Sequence, residues 1–185
     1  ESETESTGAA VNEENSDEET VADDGLFAEM SRYTFSFSSG VGAWGTEMYI
    51  AADGSFTGIY SDSDMGDSTD EYVNGTRYYC EFSGQFSKPE KTDDNTYRTT
   101  IEKLEYTYEP ETREIKDDTL YIYSTAYGLD EAEDIIIYLP GTKVSSLPEG
   151  YLSWDRMRSM ITKMEKNLRS LTAMVFIMRL SKKVL

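Results

Sequence analysis

Thr46-Glu47-Met48-Tyr49-Ile50-Ala51-Ala52-Asp53-Gly54-Ser55-Phe56-Thr57-Gly58-Ile59-Tyr60-Ser61 is the stretch whose reading decides the fold. Met48 and Ile50 alternate with polar neighbours, the period-2 signature of a half-buried strand. Asp53-Gly54 then turns the chain. A type I′ turn needs φ > 0 at both central positions, and this dipeptide supplies it. Ser55 to Ser61 is the return strand. The same period extends outward in both directions. Tyr33, Phe35 and Phe37 alternate with Thr34, Ser36 and Ser38, giving one apolar and one hydroxyl face. Gly40, Gly42 and Gly45 surround Trp44 in a loop between these two strands.

Downstream, an acidic loop runs from Asp62 to Asn74, and Asn74-Gly75 is a second turn signal. Thr76 to Ser87 reads as a long strand with Tyr78, Cys80, Phe82, Gly84 and Phe86 on one face. Lys88 to Asn95 reads as a turn, because Pro, Asp and Asn favour turn geometry. Tyr97 to Tyr108 is another long strand. Tyr97, Thr99 and Ile101 have one phase and Leu104, Tyr106 and Tyr108 the other, so a bulge is expected near Glu102-Lys103. Leu120 to Ser124 and Asp134 to Leu139 complete the set, and Pro140-Gly141 ends it. The expected fold is mainly β: an antiparallel meander closed into a small β-barrel, since closure removes exposed edges.

Composition bounds the function. The chain has 36 acidic and 17 basic residues among 185, a formal net charge of −19. Nucleic acid is an unfavourable partner for it, because phosphate binding needs clustered Lys and Arg. With no His, the commonest general base and the commonest zinc ligand are both missing. Cys80 is the single Cys, so no internal disulfide forms, and its aromatic neighbours predict a buried apolar thiol. The longest apolar run, Ala173 to Met178, is far short of a membrane span.

The two ends differ from the middle. Up to about Asp24 there is no Lys or Arg and almost no large apolar residue, so residues 1–30 are expected to form a disordered acidic tail. Such a tail, with no initial Met, fits an exported chain whose tail is a spacer behind a lipid-anchored Cys. The location expected is extracellular, held to the cell membrane as a lipoprotein, with residues 31–154 as the β domain.

Residues 155–185 carry eight basic residues (Arg156, Arg158, Lys163, Lys166, Arg169, Arg179, Lys182, Lys183) against Asp155 and Glu165. Two readings stay open. Met157, Ile161, Met164, Leu168, Leu171, Val175 and Met178 have the 4-3 spacing of an amphipathic helix. Alternatively the segment is translated out of frame. Read from the third base of each codon, Met160-Ile161 must encode Asp, and Met164-Glu165 and Met174-Val175 must each encode Gly. That shifted frame permits acidic, Gly- and Tyr-bearing sequence like that of residues 31–150.

Asp53-Gly54-Ser55-Phe56-Thr57-Gly58 and Phe82-Ser83-Gly84-Gln85-Phe86 resemble segments of small secreted lipocalin-like domains. The likeness is to uncharacterised lipoproteins of Gram-positive gut anaerobes, over about residues 31–154. It implies a small lipocalin-like β-barrel and a cell-envelope location. It implies no activity and no functional residues.

Polar and aromatic clusters give the site candidates. Asp62, Asp64 and Asp67 on a Gly-containing loop suit Ca²⁺, a hard cation that takes oxygen ligands. EF-hand spacing fails, however: counting Asp62 as position 1, Gly66 falls at 5 and Val73 at 12, so a solvated acidic loop is the competing reading. Trp44 and Tyr127 on loops, with Tyr121 and Tyr123 on a strand, would form an aromatic ligand face or line a barrel mouth. For Trp44 the competing reading is a core plug. Asn74-Gly75-Thr76 matches a glycosylation sequon, but the turn explains it. A carboxylate-dependent glycosidase needs two acids held across a cleft, and sequence does not sort 36 of them. The expectation is a non-enzymatic domain that binds an extracellular ligand or protein. The alternative is a structural or accessory surface protein.

Overall fold

A computed structural model describes residues 25–38, 43–152 and 175–180. The chain is mainly β. Trp44–Ile50 (β2) and Ser55–Asp64 (β3) form the central hairpin, with Ile50 opposite Phe56 and Met48 opposite Gly58. Its turn departs from the type I′ expectation. Gly54 N–H donates to Ala51 C=O at 2.9 Å, and only Gly54 of the dipeptide has positive φ (82°). This is a type I turn followed by a left-handed residue, the usual three-residue hairpin solution. Asp53 stays in ordinary backbone space and its carboxylate accepts from Ser55 N–H and Oγ at 2.9 and 2.7 Å. Those bonds hold its pKa below the ordinary value.

Thr34–Ser38 (β1) pairs outside β2, and Thr76–Phe86 (β4) pairs along the whole length of β3. The core face of β4 carries Cys80, Phe82 and Phe86, as the alternation predicts. Two glycines permit the packing. Gly84 lies opposite Phe56 and Gly58 opposite Phe82, so each ring covers the glycine across from it.

On its other side β4 has two partners. Ile101–Tyr106 (β7) pairs antiparallel with its C-terminal half, and Thr119–Tyr123 (β9) pairs parallel with Thr76–Tyr79. Arg113–Lys116 (β8) closes the seven-stranded sheet beyond β9. The sheet therefore forks at Cys80-Glu81. The expected bulge is present: Gln85 faces Lys103 and Phe86 faces Ile101, leaving Glu102 as the extra residue. It lets Ile101, Leu104 and Tyr106 all pack on the core despite their opposed phases.

Beyond Phe86 the chain does not turn back at once. Glu90–Asp93 (β5) and Thr96–Thr99 (β6) prolong β4 and β7 into a second, four-stranded sheet with Ala132–Tyr138 (β10) and Val175–Leu180 (β11). One long hairpin thus bends across two sheets. The bend is fixed by hydroxyls: Thr99 Oγ1 donates to Ser87 C=O at 2.7 Å, and Thr100 N–H donates to Ser87 Oγ at 3.0 Å. Tyr97, Thr99, Ile135 and Ile137 form the buried face of the second sheet.

Several expectations are corrected here. No closed barrel forms among the described residues; β1 and β8 remain edges of the larger sheet, because the bent hairpin leaves that sheet before it can close. Residues 26–30 are not tail. Leu26–Met30 (α1) is a short helix whose Leu26, Phe27 and Met30 are buried in the core. The helical seam does not extend through Val175 and Met178, which lie in β11 antiparallel to β10. Three consecutive β-branched residues, Ile135 to Ile137, give β10 strong strand propensity, and it is paired on both sides. Residues 1–24 and 153–174, with the acidic tail and most of the basic segment, lie outside the described residues.

Candidate functional site

The fork sets two faces of the larger sheet. Thr76, Cys80, Phe82 and Phe86 point to the core, so Arg77, Tyr79, Glu81 and Ser83 point away from it. Register carries this face across the sheet. Tyr121 is level with Arg77 and Tyr123 with Tyr79 on β9, while Glu114 of β8 faces Tyr121. On the far side of β4 the same outward phase holds Ile59 and Tyr49, each about half exposed.

Four tyrosines gather at the fork. Tyr108 follows β7 and stacks on Tyr123 with ring centroids 4.1 Å apart, and Tyr79 meets Tyr121 edge-on at 6.2 Å. Two carboxylates are tied to them. Tyr79 Oη donates to Glu81 Oε1 at 2.6 Å, and Tyr123 Oη donates to Glu114 Oε2 at 2.7 Å. Both phenols are pushed up to about 12. For Tyr79 the main cause is burial, then the Glu81 bond; for Tyr123 the Glu114 bond leads and burial follows. Bonds from a phenol to a carboxylate favour the protonated phenol, because ionisation would bring two negative charges together.

Beside the stack is a shallow open cleft of about 430 Å³, bounded by Ser83, Glu105, Tyr108, Glu109 and Pro110. The turn that carries Tyr108 is itself held: Thr107 N–H donates to Glu81 C=O and Glu111 N–H to Tyr123 C=O. Glu111 has φ of 68°, a left-handed conformation that reverses the chain there.

Trp44 and Tyr127 are elsewhere. They meet at the opposite face, at the end of the sheet, with centroids 5.3 Å apart. Phe37 stacks on Tyr127 at 6.3 Å and touches Trp44 at 5.0 Å, while Tyr60 packs on Tyr127 at 5.7 Å. Burial, then the nearby Asp62 carboxylate, raises the Tyr60 phenol. Trp44 is half-buried and meets Phe37 and Tyr127 edge-on, while Tyr127 is about half exposed. The four aromatic residues expected to act together thus divide into two groups.

The three aspartates do not converge either. Asp62 Oδ1 accepts from Ser63 N–H, Asp64 Oδ1 from Gly66 and Asp67 N–H, and Asp67 Oδ2 from Thr76 Oγ1. Each carboxylate shapes its own stretch of loop, and among the described residues no three acids, Cys or His gather as a metal cage.

Sequence reading missed Tyr79, Tyr108, Glu81 and Glu114. The outward phase of β4 contained the signal for Tyr79 and Glu81. Glu114 was hidden because β8 itself was. Comparison with protein-family models, with curated proteins and with solved structures finds no match to this chain.

Proposed function

We propose that this chain is a cell-envelope domain that binds an extracellular ligand or protein through the outward face of its larger sheet. The observation that carries the proposal is the tyrosine group at the fork. Tyr79, Tyr108 and Tyr121 are partly or largely exposed on this face, while Tyr123 is buried beneath Tyr108 and supports it; outward aromatic side chains on a rigid sheet offer contact area at low entropic cost. Here two of the four tyrosines also hold carboxylates in place through 2.6 and 2.7 Å bonds.

Lipid anchoring, the extracellular location and kinship with lipocalin-like lipoproteins belong to the same proposal. They rest on the acidic N-terminal composition and on the two motifs around Gly58 and Gly84. The packing of Trp44, Phe37 and Tyr127 on one another supports the alternative, an accessory surface protein with no small-molecule site, because rings packed together leave less room for a ligand.

The test is a binding panel of peptides of either charge, cell-wall glycans and lipid vesicles. Wild type is compared with Tyr108→Ala/Tyr121→Ala. A class bound by wild type and lost in the variant upholds the reading. No binding in any class, or binding indifferent to the substitutions, favours the accessory role.

A further inference from the structure

The cleft beside the Tyr108–Tyr123 stack has one sign of charge on its walls. Its charged lining side chains are Glu105 and Glu109, both carboxylates. Glu109 has no ion-pair partner among the described residues. Glu105 pairs with Lys103 at 2.9 Å, but both side chains are more than half exposed. An exposed pair of this kind is weak and exchanges readily for another cation. Tyr108 borders the cleft and is 40% exposed, so part of its ring is open to a ligand. An aromatic ring face attracts a cation, and neighbouring carboxylates complete its coordination. Glu81 and Glu114 add two carboxylates across the fork against the single cation Arg77 on the same stretch of β4, and the chain's net charge of −19 draws cations toward it.

We infer that this cleft takes the guanidinium or ammonium group of a basic peptide segment, seated on Tyr108 between Glu105 and Glu109. The inference rests on the reading of this face as a binding face and names its ligand class. A peptide fits better than a free amine because the cleft is open and shallow. A side chain delivered from a strand lying along the face would reach it, with Glu81 and Glu114 available to further basic residues.

The experiment measures binding of a fluorescent oligo-arginine peptide by anisotropy, using the whole chain at fixed salt. A strongly acidic protein attracts any polycation, so a charge-matched control is essential. Glu105→Gln/Glu109→Gln should weaken binding about 5- to 10-fold. Glu90→Gln/Asp93→Asn, which removes the same charge from the exposed β5 of the other sheet, should weaken it less than about 2-fold. Tyr108→Ala changes no charge and should weaken binding about 2- to 5-fold. Equal losses in the two charge variants, or no effect of Tyr108→Ala, overturn the inference. Spermidine binding at the same residues more tightly than the peptide at matched charge also overturns it, in favour of a small amine. If the peptide fails but a glycan binds through Tyr108 and Tyr121, this inference falls and the binding face stands. If nothing binds there, both fall.

Discussion

Replacing Gly84 with alanine puts a methyl group where two neighbours already sit. A Cβ at this position would meet the Lys103 carbonyl oxygen and the tip of the Phe56 ring, both closer than any real Cβ contact. The ring has some freedom to tilt, although Phe56 is itself buried against Phe82 and Phe86. The carbonyl has none, since Lys103 lies in the β4–β7 ladder beside the bulge. Overpacking of this kind costs about 1–3 kcal/mol, and a ladder bond displaced to relieve it adds about 1 kcal/mol. Against this, alanine recovers roughly 0.5–1 kcal/mol of unfolded-state entropy. The net expectation is a loss of about 2–3 kcal/mol, or roughly 10 °C in Tm for a domain of this size. Circular dichroism melts, with urea unfolding to confirm two-state behaviour, measure it. Gly150→Ala, where a Cβ has nothing within 4 Å, is the control. A Gly84→Ala protein as stable as wild type would refute both the reciprocal ring-over-glycine packing and the strand register that produces it.

Further outcomes follow from the core and the fork. Phe27→Ala should cost about 3–5 kcal/mol in urea unfolding, because the ring is buried against Phe86; a small loss would place α1 outside the core. Tyr79 and Tyr123 keep their protons up to about pH 12, above the ordinary phenol range. The raised folded value means their contribution is fully present below pH 10 and is lost as pH rises toward 12. Stability should fall over that window, and Tyr79→Phe/Tyr123→Phe should flatten the fall. Cys80 is buried and its thiol is pushed up to about 12 by that burial, so thiol reagents should label it only at the rate of unfolding. Sequencing the coding DNA tests the out-of-frame proposal for residues 155–185: an open second frame supports it and a stop codon there ends it.

The legible parts of the fold were those where local signals agree. β2, β3, β4, β9 and β10 lie within a few residues of their expected bounds, because alternation and turn chemistry marked them together. The bulge at Glu102 was legible because the phase change in Tyr97–Tyr108 has no other cheap solution. β8 was missed because its hairpin turns on Asp117-Asp118, both at positive φ, with no glycine to announce it. Asn74 braces that turn from a distance, through bonds to the Asp117 and Asp118 carbonyls, and such support is invisible in local sequence. β5 was read as a turn because Pro89 precedes four exposed polar residues; only its place in the bent hairpin makes it a strand. The candidate site was half legible. Alternation found Tyr121 and Tyr123, but their companions depend on a parallel pairing between β4 and β9, which no local pattern encodes.

The outward face of the fork is the centre of the functional account, and amide chemical-shift mapping addresses it most directly. The isotope-labelled chain is titrated with a basic peptide and, separately, with a neutral cell-wall glycan. The account predicts shifts concentrated at Tyr79, Glu81, Tyr108, Tyr121 and Tyr123 for at least one of them, saturating with ligand and absent in Tyr108→Ala/Tyr121→Ala. Shifts gathered instead at Phe37, Trp44, Tyr60 and Tyr127, or no saturable shifts at the fork, would contradict it.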